Sequence, residues 1–444
     1  MKEVTAKVST IINESNLIDS KEENEAVFYA QQALEELKQK GNIKNAWLWV
    51  WRGLNKHSEN IILLQMMVLL SRSLGREKEA LRYGEKVKTI PGDVSNDLYA
   101  PSIYSENKGP KILHGTMEIA NQMNTISKGL THKGYVCETL TYYAFYLGYQ
   151  SDYLWDLSKE KNKQELPSDL LKVSKEFMKH IDIFHFHFGT SFTQNNSDLQ
   201  MLKACKKTML MHHWGSDVRI LSKALKVNPF AKAKTTNEAM IKRKLQFLSQ
   251  YIPCCIVADQ EVYQYVKEYY KKVFIVPLMV DLDNYKPVIQ AENPKIKIVH
   301  APTSPEVKGT TYVLKAINNL QKSYDIDFQL IQGKSHQEAK KMYQTADIVI
   351  DQLHIGSYGL LAVETMAMGK PVVCWISDYM KNHYPADLPI ISANPDTIEE
   401  KLKELLNNRD MLSSLGMKSR QYAETHHDMH KNSQQMLEIY QSLS

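Results

Sequence analysis

His354–Val373 reads HIGSYGLLAVETMAMGKPVV, and the rest of the chain is best read outward from it. Gly356 and Gly359 stand at the mouth of a helix predicted over Leu360–Ala367. Gly369-Lys370-Pro371 stops that helix before the apolar run Val372-Val373-Cys374-Trp375. The first turn of a helix leaves backbone N–H groups unpaired and gathers partial positive charge at its N-terminus. Phosphate is the usual occupant of such a place. Gly356, Ser357, Tyr358, Gly359 and Leu360 would supply the backbone donors. Glu364, one turn into the helix, carries a carboxylate able to accept both hydroxyls of a ribose. Together they point to a nucleoside diphosphate site.

Around this stretch strands and helices alternate. Strands are predicted at Lys295–His300, Phe328–Gln332, Ile348–Asp351 and Pro371–Ile376, with helices at Tyr312–Gln321 and Gln337–Tyr343. An earlier series opens with the strand Lys111–His114, the loop Gly115-Thr116-Met117 and a helix running through Gly129 to Gly134. It continues with strands at Ile181–Phe188, Thr208–His213, Cys255–Ala258 and Val273–Pro277. Such alternation predicts an α/β protein with two doubly wound, Rossmann-like domains. The proline-bounded run PLMVDLDNYKP (Pro277–Pro287) lies between the two series and suits a hinge, which sets the domains at 111–287 and 288–428.

Residues 1–95 contain no convincing strand. Gly41 and Gly75 are 34 residues apart, as are Ala46 and Ala80, within two spans that each read helix, glycine turn, helix. The glycine permits the turn and the alanine lets paired helices approach. A 34-residue period of this kind resembles tetratricopeptide repeats and implies a surface for a protein partner. The alternative is an irregular helical cap. Pro91–Pro110 is rich in Pro, Gly, Ser and Asn, so residues 96–110 are predicted to be a linker.

Bulk properties exclude several classes. The 444 residues are enough for two or three domains, and 43% hydrophobic with 24% charged residues is a globular composition. No apolar run approaches the ~20 residues needed to span a bilayer, and the charged N-terminus lacks a signal-peptide core. Cys137, Cys205, Cys254, Cys255 and Cys374 show no paired metal spacing. They are predicted to be reduced thiols, mostly buried, in a cytoplasmic protein.

The stretch from Gly356 to Val373 resembles the donor-binding signature of GT-B retaining glycosyltransferases of the family 4 type, roughly E-G-F-G-L-x-x-x-E-A-M-A-x-G-x-P-V-V. The resemblance covers about residues 111–444, and PLMVDLDNYKP is similar to the family's segment closing its first Rossmann domain. It implies two Rossmann-like domains facing across a cleft, with the last helix, 429–444, crossing back onto the first. It implies transfer of a sugar from a nucleotide-diphosphate sugar to a hydroxyl of a glycan, lipid-linked or protein acceptor. No cofactor and no metal are implied beyond the donor, because Asp281-Leu282-Asp283 lies in the hinge run. One position departs: the family's first glutamate, eight residues before the second, falls on Gly356. In the family that glutamate contacts the donor sugar, so the nucleotide half of the site matches while the sugar half is built differently.

The resemblance also assigns roles elsewhere. Lys308, in HAPTSPEVKGT, matches a lysine that clamps the donor diphosphate and stabilises the leaving nucleotide, with Thr310 beside it; the family's accompanying arginine falls on Pro305. Gly115, at the end of the first strand, matches a loop that approaches the donor phosphates. MHHWGSDVR resembles the family's H-G-S-D segment, whose histidine contacts the transferred sugar; His212, His213 and Trp214 remain alternatives, with His213 taken as the candidate. His185 and His187 alternate on one strand and point to the same side, so His187 is a second candidate. Asp351, ending a strand just before the glycine loop, could take over the missing carboxylate's work. Asp217 would either belong to that segment or cap a helix starting at Val218.

From Arg219 to Lys244, eight basic residues (Arg219, Lys223, Lys226, Lys232, Lys234, Lys242, Arg243, Lys244) face one acid, Glu238. They are expected to form either a solvated basic face or a peripheral docking surface for anionic membrane, since family members often glycosylate lipid-linked acceptors. No nucleic-acid module accompanies them. A different class of function is a catalytically inactive GT-B scaffold acting through its N-terminal helices. The departures at Pro305 and Gly356 are what loss of catalysis would leave.

Overall fold

The computed structural model describes residues 1–14, 21–90, 109–287 and 295–443. The predicted linker therefore lies almost wholly outside the described residues, as does the start of the second predicted Rossmann domain. Two compact units are present, one of residues 1–109 with 151–155, the other of residues 110–150 with 156–444.

Among its described residues the first unit has five α-helices, α1 (Lys2–Glu14), α2 (Lys21–Glu35), α3 (Ile43–Lys56), α4 (Ile61–Ser73) and α5 (Glu77–Thr89), with a π-helical turn at Glu36–Lys40 continuing α2. Gly41 and Gly75 both take positive φ (61° and 69°), which side chains rarely adopt, and each ends a helix. Ala46 and Ala80 are both fully buried in the helix contacts. Asn42 and Asn60 cap the helices that follow them by accepting from Asn45 N and Leu63 N. Residues 151–155 join this unit from far along the chain. Tyr153 packs edge-on against Trp47 at 6.1 Å and accepts from Arg76. Asp152 pairs with Lys44 at 3.1 Å, and Leu154 N donates to Asn45 Oδ1 at 2.9 Å.

The second unit contains two parallel sheets. The first runs in the order β2-β1-β3-β4-β5-β6 within this unit, from β1 (Lys111–Thr116), β2 (Val136–Thr141), β3 (Ile183–His187), β4 (Thr208–His213), β5 (Cys254–Val257) and β6 (Lys272–Ile275). The second runs β11-β10-β9-β7-β8, from β7 (Ile296–His300), β8 (Ile326–Leu330), β9 (Ile348–Ile350), β10 (Val372–Cys374) and β11 (Ile391–Ser392). Aliphatic cores flank both sheets, as parallel strands covered on both faces require.

The C-terminal helix Met429–Gln441 lies on the first sheet's side of this unit, where Met429, Met436, Leu437, Ile439 and Tyr440 share a core with Ile112, Ile126 and Ile183. Gly129 makes the close approach possible, because a Cβ there would stand 2.0 Å from Ser433 Oγ. The hinge run is clasped by Gln122, whose amide both donates to Met279 O (2.9 Å) and accepts from Met279 N (3.0 Å). Backbone bonds from Val280 N to His427 O and from Met429 N to Val280 O tie the hinge to the crossing segment. Cys137, Cys254, Cys255 and Cys374 are buried free thiols, and Cys205 is an exposed one. Among the described residues no helix is long and apolar enough to cross a membrane.

Candidate functional site

The glycine loop ends in the helix Leu360–Ala367, with Gly359 at its N-cap. Asp351, one residue beyond β9, organises the entrance. Its Oδ2 accepts from Gly359 N at 2.7 Å, and its Oδ1 accepts from Lys308 Nζ at 2.9 Å. Lys308 also donates to Gln352 Oε1 at 2.6 Å. A Cβ on Gly359 would sit 3.2 Å from Asp351 Oδ2 and 3.3 Å from Lys308 Nζ, so the ammonium lies directly against the loop. Lys308 closes the short helix Pro305–Lys308; Leu353 N bonds back to Lys308 O, and Glu306 O is bonded by His354 Nδ1. Thr310 follows Gly309 and is buried against His300 Nε2 at 2.9 Å. Of the residues expected at the nucleotide half, Lys308 and Gly359 are thus brought together, with Gly359 N donating to Asp351. Asp351 has both oxygens engaged in this scaffold and is not presented as a carboxylate for a sugar.

Glu364 is buried rather than exposed on its helix, and its Oε1 accepts from Tyr285 Oη (2.7 Å) and His336 Nε2 (2.8 Å). Burial opposes protonation of His336, but the hydrogen bond and charge of Glu364 outweigh it and hold the imidazole above its ordinary 6.5. Tyr285 and His336 line a cavity of about 440 Å³ together with Asn121, Asn124, Lys128, Tyr149, Asp281 and Lys340. Its walls carry ionic and amide groups, with Lys128 paired to Asp281. Neither Tyr285 nor His336 was singled out from the sequence as a site residue. Tyr285 sits in the hinge run and His336 opens the helix His336–Gln344, so only folding brings them to Glu364.

The position that departs from the family pattern has a structural reason. Gly356 takes φ +79°, and a Cβ there would meet Asn228 Nδ2 at 2.8 Å and Ser377 Cβ at 2.9 Å. A glutamate does not fit. Asn228 fills the space, donating to His354 O at 2.8 Å and accepting from Trp375 Nε1 at 3.1 Å. Ser357 turns to Asp259, which its hydroxyl reaches at 2.8 Å and which Tyr384 also bonds at 3.0 Å. Burial and the charge of Glu261 raise the Asp259 carboxyl above its usual range. The Tyr358 side chain is a core residue. It stacks on Tyr384 at 4.6 Å and its hydroxyl lies 3.1 Å from His427 Nε2.

The first sheet places its candidates differently. His213 is buried, with Nδ1 2.6 Å from Asp217 Oδ2 and Nε2 2.8 Å from Tyr270 Oη. Asp217 does not cap a helix at Val218, because no helix begins there; its other oxygen takes Trp214 N at 3.0 Å. Burial pushes this carboxyl up, but the charge and hydrogen bond of His213 and the backbone donors bring it below its ordinary value. His187 is buried beside His114, Nε2 to Nδ1 at 3.1 Å, and accepts from Trp214 Nε1 at 3.3 Å. Gly115 sits inside β1, a Cβ there meeting Leu140 O at 3.4 Å.

The expected basic face is not continuous. Arg219 is buried and forms two 2.7 Å bonds to Glu261, since a guanidinium matches a carboxylate in such geometry. Burial lowers the pKa of Lys234, helped by the charges of Lys308 and Arg219, and burial likewise lowers that of Lys244.

These features agree with comparison to known proteins. Residues 307–422 match the family described as "Glycosyl transferases group 1". Among curated proteins, a sequence search finds no match. Among solved structures, the chain is similar to sucrose-phosphate synthase from Thermosynechococcus elongatus, with TM-score 0.56 and 12% identity over 75% of this chain and 99% of that one. It is similar to a glycosyltransferase from Rickettsia africae ESF-5, with TM-score 0.55 and 14% identity over 76% and 99%. It is also similar to Anabaena HepE in complex with UDP and glucose, with TM-score 0.52 and 12% identity over 76% and 100%. The fold is that of GT-B glycosyltransferases. Within it, residues 307–422 are the part similar to group 1 glycosyltransferases, and an N-terminal helical unit precedes them in the chain.

Proposed function

We propose that this protein transfers a sugar from a nucleoside diphosphate sugar to an acceptor hydroxyl, with retention of configuration. The observation that carries the reading is that Lys308 lies against the Gly359 loop at the N-terminus of the helix that carries Glu364 one turn on. In this reading the diphosphate lies against Lys308 and the helix N-terminus, and their positive charge stabilises the leaving nucleotide. Glu364 accepts the ribose hydroxyls, steadied by Tyr285 and His336. The acceptor hydroxyl attacks from the face the nucleotide leaves, and its proton passes to the departing diphosphate. No metal ion is assigned to this step. HepE has been solved with UDP-glucose, so uridine diphosphate sugars are the first donors to try. A glycan or lipid-linked acceptor is part of the proposal, and so are cytoplasmic location with peripheral membrane contact and a protein partner for the tetratricopeptide-like helices.

Calorimetric titration of the full chain with UDP, GDP and ADP, alone and as sugar conjugates, tests the reading. Binding by one nucleotide class is expected, weakened in Glu364→Ala and in Lys308→Met, with donor turnover that needs no added Mg²⁺. The absence of binding by all three classes would favour the non-catalytic scaffold. A strict requirement for added Mg²⁺ would overturn the assignment of charge to Lys308.

A further inference from the structure

Four imidazoles are buried together in the first sheet, and the proposed transfer uses none of them for chemistry. His114 on β1, His185 and His187 on β3 and His212 on β4 occupy neighbouring strands, and each is at most 2% exposed. Their positions alternate with aliphatic or aromatic neighbours, so all point to the face that also holds Ile112, Ile183 and Leu210. That face is otherwise mainly apolar, so four imidazoles side by side on it stand out.

His114 Nε2, His185 Nε2 and both nitrogens of His212 are buried with no hydrogen-bond partner. An unpaired buried nitrogen is costly, and of these four His185 Nε2 is free to take a ligand beside the His114 and His187 rings.

The geometry points to a site for a divalent transition metal ion, Zn²⁺ foremost, held by His114, His185 and His187. One nitrogen from each of the three lies within 4.8 Å of the other two. The His114 Nδ1–His187 Nε2 separation of 3.1 Å is close to the roughly 3.3 Å edge of a tetrahedron with ~2.0 Å metal–nitrogen bonds. Ring rotation draws in the third nitrogen. A partner already orients His185, whose Nδ1 lies 2.7 Å from Tyr440 Oη on the C-terminal helix, in the manner of an outer-shell hydrogen bond. Three protein nitrogens leave a fourth position for water, and oxygen-preferring Mg²⁺ and Ca²⁺ would be rejected. Binding through His187 Nε2 moves that ring's proton to Nδ1, which breaks the bond from Trp214 Nε1. Trp214, stacked 3.9 Å from His212, therefore reports on occupancy.

The test is metal analysis of the full chain purified from zinc-supplemented medium and desalted, with Co²⁺ substitution as the second measurement. About one zinc per chain is expected. The apo protein should give a tetrahedral-type cobalt absorption and a change in tryptophan emission with Co²⁺ or Zn²⁺, but neither with Mg²⁺. The variant His114→Val/His185→Val should lose the zinc and the cobalt spectrum. Equal zinc in this variant would mean surface binding and overturn the proposal. If the variant does not fold, the cobalt spectrum of the wild type decides: an octahedral, weakly absorbing ion or none at all refutes the site.

Discussion

Asp351 and Lys308 make the sharpest test of how the glycine loop is held. The Asp351 side chain is wholly buried and that of Lys308 is 19% exposed, so their 2.9 Å pair is only weakly screened. Removing one partner of a buried pair costs about 3–5 kcal/mol, because the other is left uncompensated. Asp351→Asn keeps one carbonyl oxygen for Gly359 N, and Lys308 keeps Gln352, so this change belongs near the lower end, about 3 kcal/mol. Lys308→Met leaves the buried carboxylate with Gly359 N alone and should cost about as much. Removing both together leaves no orphaned charge, so the double variant should lose roughly 3–4 kcal/mol, not the ~6 of two independent sites. That is a coupling of at least ~2 kcal/mol.

The assay is hydrogen exchange by mass spectrometry on peptides spanning residues 348–367, because a chain of several units gives no single unfolding free energy. Protection there reports the local opening that the pair opposes. Singles that sum to the double within ~0.5 kcal/mol would refute the view that Asp351 anchors the loop through Lys308. So would Asp351→Asn exchanging like wild type.

Gly356→Glu, which restores the family residue, should lower the melting temperature and yield no gain in donor turnover, since its Cβ collides with Asn228 and Ser377. A rise in both would show that the space can be remade. The His336–Glu364 pair raises the imidazole pKa, so its contribution is whole below the unfolded value of about 6.5 and is lost as pH rises through the folded value. The stability gap between wild type and His336→Gln should therefore be widest near pH 6 and shrink under alkaline conditions; melting curves across pH would show a flat gap if the pair does not form. Gly129→Ala should loosen the C-terminal helix, because the new methyl meets Ser433 Oγ at 2.0 Å. Exchange of residues 429–441 is the readout, and unchanged protection would contradict the packing. Lys308→Met should weaken UDP binding about 10–100-fold, the worth of one charge-assisted hydrogen bond, and an unaltered dissociation constant would place the diphosphate elsewhere.

What was legible in the chain was local. Thr208–His213 and Leu360–Ala367 coincide with their predicted bounds because each is set by neighbours in sequence: apolar strand residues in one, a glycine loop and a Gly-Lys-Pro stop in the other. The remaining expected strands are shifted by one or two residues, since hydrogen-bond register and not hydrophobicity ends a parallel strand. The strand Val136–Thr141 was not anticipated. Its run VCETLT mixes polar and apolar residues, and its burial comes from the sheet it joins. Arg219 read as one more basic residue in a charged stretch, and only the approach of Glu261, 42 residues away, buries it. Residues 151–155 carry no signal for their place beside Trp47 and Asn45, more than a hundred positions earlier.

Gly356 shows how a departure from a motif should be weighed. By sequence alone, glycine in place of a family glutamate is equally a lost function or a rebuilt one. Decay would leave a hole where the side chain had been, or a polar neighbour with no partner. Instead the place is occupied: Asn228, reaching from the first-sheet half of the unit, bonds His354 O with one end of its amide and Trp375 Nε1 with the other. Gly356 O is bonded in turn by Ser377 N at 3.0 Å. Asn228 is buried with both ends of its amide satisfied, and a left-handed glycine is the backbone that lets it in. A network this complete, built from residues more than a hundred positions apart, supports a loop held in one conformation for use. Asn228→Ala, which should free the loop without touching Lys308 or Glu364, separates the two histories. If donor binding falls while nucleotide binding stands, the rebuilt half serves the sugar.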